Sequence, residues 1–359
     1  MPTVLKRMLC LCTLTMLGHF SQAGASQSGC EPADGMEFVC GPRNTEDLVQ
    51  LSGTDVIIAS SFATPGTLYW INAKTREWDE LYPKLASAAA RDSQFPDCAE
   101  PPNPEKLTTH GLSVQPLANG RFRLLVTGHG AREAVEAFEV DAQSAQPKIR
   151  WNGCVLLPEK TFSNSSAPLP DGGFIVTKTL DSPTDPNAFE RMVAAETTGA
   201  LYEWRPGKGL VHLQGGDLPG ANGVATSADG QHLYVAAWGS SEVVKLRLQG
   251  TSVKIVTRHK VPMRPDNLRW SADGRLLAAG QILASPTTPC THVPCVSGWA
   301  VTEIDPETLA STTLIERHTM SPFNAATVAL ALTDYIWLGS FHSDRIAIVD
   351  FPVKRPSVD

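Results

Sequence analysis

The sequence has few charged residues, and they form no basic block. Asp, Glu, Lys and Arg make up 19% of the 359 residues, and the formal net charge is −7. An acidic balance without a Lys/Arg cluster argues against nucleic acid as a main partner. No apolar run reaches the 18 or more residues of a transmembrane helix. With 42% apolar residues the chain is of globular composition, which excludes collagen-like, disordered and coiled-coil classes.

Several common catalytic signatures are also missing. Gly239-Ser240-Ser241 lacks the second glycine of a Gly-x-Ser-x-Gly nucleophile elbow. The sequence has no glycine loop that would cradle a phosphate and no dinucleotide fingerprint. The chemistry must therefore come from other residues.

The N-terminus has the pattern of a secretory signal peptide. Lys6 and Arg7 precede the apolar segment Met8–Leu17, and small residues follow at Gln22–Ala25. We therefore predict an exported protein, secreted or periplasmic, with a signal peptide at residues 1–25 and one domain at 26–359. Loss of Lys6 and Arg7 would take the net charge from −7 to −9.

Six cysteines remain after signal removal, an even number that favours disulfides in an exported chain. We expect Cys290 to pair with Cys295 across a short loop, and Cys98 with Cys154. Cys30 and Cys40 pair with each other or with a partner elsewhere. Two alternatives are a zinc site at Cys290, His292 and Cys295, and a lipoprotein signal ending at Cys30. The first lacks a second ligand cluster, and the second lacks the expected apolar residue before the cysteine.

The body of the chain repeats one unit, a tight turn followed by a short apolar strand. Six copies of the turn occur, at Ser52–Asp55, Ala118–Gly120, Pro170–Gly173, Ala228–Gly230, Ala272–Gly274 and Thr333–Asp334. Asn-Gly and Asp-Gly between apolar runs are strong hairpin signals, because such turns need positive φ. Further strand-like segments follow each copy, which gives about four strands per unit.

Six such units predict an all-β fold, a six-bladed β-propeller with four-stranded blades around a central channel. The last unit runs out of chain before its outermost strand. A segment near Met36–Val39 could supply that strand and close the ring.

Polar side chains recur about seven residues ahead of the turns, where the chain enters the strand that lines the channel. They are Glu46, Asp47, His110, Asn164, Asn222, Asp266 and Asn267; Asn324 is set aside because its spacing is longer. If the repeat is correct, these residues converge at one end of the channel. Two carboxylates and three amides suit a hard cation, and calcium suits five protein ligands better than magnesium does. Asn164-Ser165-Ser166 is also a glycosylation sequon, which we predict to be unmodified.

The ordered motifs Thr45–Leu48, His110–Ser113, Ala221–Val224 and Pro265–Leu268 resemble those of the paraoxonases. More broadly, the chain resembles the calcium-dependent six-bladed propellers that include the gluconolactonase and senescence-marker proteins. The resemblance extends from Glu46 to Val349. It implies hydrolysis of lactones and aryl esters with a catalytic calcium in the channel.

Carried over residue by residue, the resemblance assigns roles to particular positions. It makes Glu46, Asn164, Asn222, Asp266 and Asn267 ligands of the catalytic calcium, and His110 and His129 a histidine pair. It also implies that Asp47 and the carbonyl of Leu112 contact a second, structural calcium. Ser165 stands where the family has aspartate, and the loss of that carboxylate puts the second ion in doubt.

These groups predict a hydrolytic mechanism on a small lactone or ester. The calcium polarises the carbonyl, and a base activates water. Histidine titrates near neutrality, so we expect His110 to be the base with His129 orienting it; Asp266 is the alternative. Two other functions stay open, a non-catalytic propeller stabilised by calcium and a metal-independent enzyme similar to strictosidine synthase. The sequence leaves the oligomeric state and the substrate open, and specificity is expected from the segments Ala86–Lys106, Leu180–Glu196 and Leu283–Val296.

Overall fold

The chain folds as a ring of six β-sheets, as the repeat predicts. The computed structural model describes residues 29–182, 184–185, 187–284, 295–318 and 321–352. Each sheet is one blade of a β-propeller, and the strand at its inner edge lines the central channel.

The blades are numbered along the chain from the first complete one. Blade 1 contains β2 (Leu48–Gln50), β3 (Val56–Ala59), β4 (Leu68–Asn72) and β5 (Trp78–Tyr82). Blade 2 contains β6 (Ala86–Ser87), β7 (Thr108–Pro116), β8 (Arg121–His129), β9 (Ala134–Asp141) and β10 (Lys148–Leu156). Blade 3 contains β11 (Phe162–Pro168), β12 (Phe174–Leu180), β13 (Ala200–Arg205) and β14 (Gly209–His212).

The second half of the ring continues in the same way. Blade 4 contains β15 (Ala221–Thr226), β16 (His232–Ala237), β17 (Glu242–Gln249) and β18 (Ser252–Lys260). Blade 5 contains β19 (Arg264–Trp270), β20 (Leu276–Leu283), β21 (Val296–Ile304) and β22 (Ser311–Arg317). Blade 6 contains β23 (Ala326–Leu332), β24 (Tyr335–Ser340), β25 (Arg345–Asp350) and β1 (Glu37–Cys40).

The N-terminal strand closes the ring. β1 pairs antiparallel with β25, with Phe38 opposite Ala347, and so becomes the outermost strand of blade 6. The sequence analysis expected this role for Met36–Val39. Closure of this kind removes an exposed sheet edge, which would otherwise offer a row of unpaired backbone groups.

The predicted turns join the two innermost strands of each blade. In blade 2, for example, Asn119 and Gly120 adopt φ of 59° and 63° between β7 and β8. These are the left-handed values that an Asn-Gly hairpin turn requires.

The hydrophobic core is divided among the contacts between neighbouring blades. One buried cluster joins blades 1 and 2 through residues such as Trp70 and Phe138, and another joins blades 6 and 1 through Ile57 and Trp337. Similar clusters lie between the other neighbouring blades. Each blade therefore buries both faces, which fixes the inner strands around the channel.

Two features depart from six uniform four-stranded blades. Blade 2 has a fifth, short strand, since β6 pairs parallel to β10. The segment after β12 contains a short helix, α1 (Ala188–Val193), and a 3-10 turn (Trp238–Ser240) follows β16. Neither departure changes the number of blades.

A disulfide joins Cys98 to Cys154, as expected from the sequence, and another joins Cys30 to Cys40, which is one of the two alternatives that the sequence left open. Cys295 is also disulfide-bonded and so is no zinc thiolate, while its predicted partner Cys290 and the predicted signal peptide lie outside the described residues. The disulfide at Cys30 also argues against the lipoprotein alternative. Among the described residues, no helix is both long and apolar enough to span a membrane.

Candidate metal centre and histidine chain

A β-bulge displaces the predicted polar residues from the regular ladder at the start of the inner strands. Strand register shifts between Thr109 and Leu112 in β7, and between Pro265 and Leu268 in β19. β11 and β15 shift in the same place, around Asn164 and Asn222. Bulges re-aim side chains next to functional sites. The candidate residues therefore lie mostly on the bulged strands themselves rather than on loops entering them.

Two glycines let neighbouring inner strands approach at these bulges. A Cβ on Gly111 would lie 2.3 Å from the carbonyl oxygen of Asn164, and one on Gly223 would lie 2.3 Å from that of Asp266. Neither glycine has positive φ, so close approach is the requirement here. His110-Gly111 and Asn222-Gly223 are thus strand positions that leave space for the next blade.

The structure brings the five predicted ligands of the catalytic calcium together. We call this set the channel oxygen cluster: Glu46, Asn164, Asn222, Asp266 and Asn267. The amide nitrogen of Asn267 donates to Glu46 Oε1 at 2.6 Å. The side-chain amides of Asn164 and Asn222 face the Asp266 carboxyl and favour its charged form. All five residues are at most 6% exposed.

Each member of the channel oxygen cluster has one buried oxygen without a hydrogen-bond partner in the described residues. These atoms are Glu46 Oε2, Asn164 Oδ1, Asn222 Oδ1, Asp266 Oδ1 and Asn267 Oδ1. An unsatisfied buried polar atom costs about 1–3 kcal/mol. Five of them would cost about as much as the total stability of a domain, roughly 5–15 kcal/mol. A cation or bound water molecules that reach these oxygens would remove this cost.

The electrostatics of the two carboxyl groups favour a cation as the partner of these oxygens. Burial raises the pKa of Glu46 well above its ordinary value, and the charge of Asp266 raises it further. Burial also raises the pKa of Asp266 to about 7, although Gln281 donates to its Oδ2 at 2.8 Å. Neither carboxyl forms a salt bridge with Lys or Arg in the described part of the chain.

The residues present thus fit a hard divalent cation. Two carboxylates match its charge, and five oxygens leave room for water or a substrate oxygen around calcium. Within the described ranges, no group of three or more His, Cys, Asp or Glu side chains has metal-binding geometry. The candidate centre differs from such groups because amide oxygens supply most of its donors.

A series of hydrogen bonds leads from the channel oxygen cluster through both predicted histidines to Glu133, and we call it the histidine chain. Asn164 Nδ2 lies 3.0 Å from His110 Nε2, His110 Nδ1 lies 2.8 Å from His129 Nε2, and His129 Nδ1 lies 2.8 Å from Glu133 Oε1. A carboxylate only accepts, so His129 donates from Nδ1 and accepts at Nε2. His110 then donates from Nδ1, which leaves Nε2 as its acceptor.

His110 is held neutral at the edge of the oxygen cluster. Its Nε2 lies 3.7 Å from Glu46 Oε1. Burial lowers the pKa of His110 well below its ordinary value, and the neighbouring His129 lowers it further. Phe62 and Phe162 surround the pair, with ring centroids 4.4 Å from His110 and 4.3 Å from His129 respectively.

Sequence reasoning missed two residues that hold the site's side chains in place, Glu133 and Gln281. Glu133 follows His129 by four residues in the β8–β9 connection, and only the hairpin geometry shows that they meet. Gln281 accepts from Trp238 Nε1 at 2.8 Å while it donates to Asp266, so it orients that carboxyl.

The two remaining predicted metal contacts are engaged by an arginine instead. Arg269 Nη2 contacts the carboxylate of Asp47 and donates to the Leu112 carbonyl oxygen at 2.9 Å. Asp47 also accepts from the backbone N–H of Leu48 at 2.8 Å and of Leu112 at 2.7 Å. The structure brings Asp47 and Leu112 together as expected, but around a guanidinium.

Two of the predicted specificity segments lie beside the histidines, at the bulged end of the channel. In Leu180–Glu196, the buried Leu180 and the α1 residues Ala188 and Met192 form an apolar cluster with Trp238, and Phe162 packs against it. In Ala86–Lys106, Pro102 and Asn103 line a small pocket with His129. The third segment, Leu283–Val296, lies mostly outside the described residues.

A cavity of about 380 Å³ opens at the opposite end of the channel. It is lined by the later parts of the inner strands, including Leu112 and Arg269, and by none of the channel oxygen cluster or the two histidines. We therefore place the candidate chemistry at the bulged end. The sequon residue Asn164 is 4% exposed, so the folded chain does not present it for glycosylation.

Comparison with solved structures shows the same fold. Similar structures include a protein described as a putative gluconolactonase (TM-score 0.56, 13% identity, covering 90% of this chain and 94% of that one). A gluconolactonase from Xanthomonas campestris matches with TM-score 0.52 and 17% identity over 88% of this chain and 89% of that one. A luciferin-regenerating enzyme matches with TM-score 0.52 and 14% identity over 89% and 95%.

These structural matches establish the six-bladed β-propeller as the fold and do not by themselves establish an activity. No protein-family model and no curated protein sequence matches the chain. The closer resemblance to paraoxonases depends on the motifs alone and stays a prediction.

Proposed function

We propose that the protein is an exported, calcium-dependent hydrolase of lactones or esters. The observation that supports this proposal is the channel oxygen cluster, whose five buried oxygens have no hydrogen-bond partner among the described residues and include one from each of two carboxyl groups. Disulfides are typical of exported proteins, which supports the predicted compartment. Two similar structures are described as gluconolactonases, which supports lactones as a substrate class.

In this proposal the channel oxygen cluster holds the ion. A bound calcium would polarise an ester or lactone carbonyl and stabilise the developing negative charge. Glu46 and Asp266 supply the charge, and Gln281 keeps the Asp266 carboxyl oriented. The amides of Asn164, Asn222 and Asn267 supply neutral oxygens that leave the site with an open position.

The histidine chain supplies the base. Glu133 fixes His129 so that it accepts from His110, and this leaves His110 Nε2 free of a proton. An unprotonated imidazole nitrogen beside the cluster can take a proton from an attacking water. His129 and Glu133 stabilise the imidazolium that forms. Asp266 is the alternative base, and a His110 variant separates the two.

The surroundings of the histidines favour a substrate with an apolar part. Phe62 and Phe162 flank the ring pair, and Phe162 joins the apolar cluster around Trp238. An acyl chain or an aromatic leaving group would pack on these rings, while its carbonyl faces the oxygens.

Hydrolysis assays test this function directly. Purified protein is assayed on a panel of lactones and aryl esters, with added calcium and after treatment with EGTA. We expect turnover that EGTA abolishes and calcium restores. His110→Gln is expected to lose about 100- to 10,000-fold in turnover because the general base is absent. His212→Gln, at a half-exposed histidine in blade 3, serves as the control. Turnover insensitive to EGTA would reject the proposal.

One observation favours a second candidate, a non-catalytic propeller that calcium stabilises. His110 Nε2, the proposed base, already accepts from the Asn164 amide at 3.0 Å. A purely structural histidine would be satisfied in this way. This candidate predicts that EGTA lowers stability while no lactone or ester in the panel is turned over.

A further inference from the structure

Arg269 crosses from blade 5 to the inner strands of blades 1 and 2. Its guanidinium contacts the Asp47 carboxylate and donates at 2.9 Å to the carbonyl oxygens of Leu112, Leu48 and Leu268. The side chain is 11% exposed and that of Asp47 is fully buried. One side chain thus gathers four acceptors from three blades.

Two of these acceptors are those that the family resemblance assigns to a second, structural calcium. The Asp47 carboxylate accepts two backbone N–H groups in addition to Arg269, which leaves it little capacity for another partner. A metal ion bound to Asp47 and the Leu112 carbonyl would meet the guanidinium at the same place. The residues present therefore do not fit a second ion.

The charges agree with this arrangement. Asp47 is the carboxylate that the guanidinium contacts, so one negative charge faces one positive charge. Ser165 is buried beside Gly111 on the neighbouring strand and carries no charge. A divalent ion would leave an excess positive charge among groups that are almost completely removed from water, which is unfavourable.

We propose that Arg269 takes the place of a second metal ion, so that the channel holds at most one cation and blades 1, 2 and 5 are joined without calcium. The part of this inference that concerns one bound ion rests on the proposed function. The role of Arg269 in joining the blades does not. The consequence is that the protein stays folded when calcium is removed from the channel oxygen cluster.

Calcium stoichiometry tests the first part. Chelator-treated wild-type protein and Asp47→Asn are titrated with calcium by isothermal titration calorimetry. We expect one equivalent in both proteins, because Asp47 binds no ion. Two equivalents in the wild type, with one lost in Asp47→Asn, would overturn the inference. No binding in either protein would reject the proposed calcium site and leave the role of Arg269 to the second experiment.

Urea unfolding in EGTA tests the second part. Arg269→Ala is expected to lower the midpoint by about 1–2 M, because it leaves Asp47 buried without its partner. Arg269→Lys should recover part of that loss, since it restores the charge without the planar fork of donors. Arg258→Ala, which removes an exposed arginine paired with Glu242, is the matched control and should shift the midpoint little. Equal midpoints for Arg269→Ala and Arg258→Ala would overturn the inference. If Arg269→Ala does not fold, Arg269→Lys is compared with Arg258→Ala in its place, and equal midpoints again overturn the inference.

Discussion

Asn222→Leu gives a change in stability whose sign depends on whether the channel holds a cation. Asn222 is 6% exposed, and its Oδ1 has no hydrogen-bond partner among the described residues. Leucine has nearly the same shape and no oxygen. Without a cation, the substitution therefore removes an unsatisfied buried atom that costs about 1–3 kcal/mol.

With calcium bound, the same substitution removes a ligand. Loss of even an indirect partner of a metal lowers affinity about 10- to 100-fold, which is about 1.4–2.7 kcal/mol of stability at saturating calcium. We therefore expect Asn222→Leu to be less stable than the wild type in calcium. In EGTA the difference should vanish or reverse, because the loss of the amide contact to Asp266 offsets part of the gain.

Urea unfolding of both proteins, in calcium and in EGTA, measures the effect. Asn152→Leu is the matched control, because Asn152 also has an unpartnered buried Oδ1 but lies on β10, away from the inner strands. Its effect on the free energy of unfolding should be the same in both conditions. An Asn222→Leu effect that is equally independent of calcium would refute the reasoning.

Three further predictions concern the histidine chain, the contact between inner strands and one disulfide. Glu133→Gln should lower turnover about 10- to 100-fold with unchanged calcium affinity, because it disturbs the direction of the histidine chain; an unchanged rate would show that the chain does not depend on Glu133. Gly223→Ala should cost about 1–3 kcal/mol in unfolding free energy, since its Cβ would lie 2.3 Å from a backbone oxygen of the next blade; wild-type stability would contradict the close approach. A Cys98→Ser, Cys154→Ser double variant should lose about 2–5 kcal/mol in urea unfolding, and no loss would show that the disulfide adds nothing.

Much of the fold could be predicted because each blade repeats a local signal. Turns such as Asn119-Gly120 require positive φ, and this fixes a hairpin wherever they stand between apolar runs. Ring closure by β1 could be predicted because the last unit lacked a strand. The fifth strand β6 could not, because its pairing with β10 joins two segments about 60 residues apart and carries only two residues of register.

The candidate site was predictable where the repeat or the family motifs placed the residue. Asn164, Asn222 and Asp266 stand at equivalent positions of consecutive units, so their convergence follows from the fold. Arg269 and Asp47 are 222 residues apart, and no repeat relates them. Side chains two residues apart on a strand point to the same side of the sheet. Arg269 follows Asn267 by two residues on β19, and this spacing is the signal that could have placed Arg269 at the channel as well.

Calcium titration of chelator-treated protein tests the central claim most directly. The account predicts binding of one equivalent per chain in the wild type and none in a Glu46→Gln, Asp266→Asn double variant that still folds. A wild-type protein that binds no calcium, or a double variant that binds it as tightly, would contradict the account.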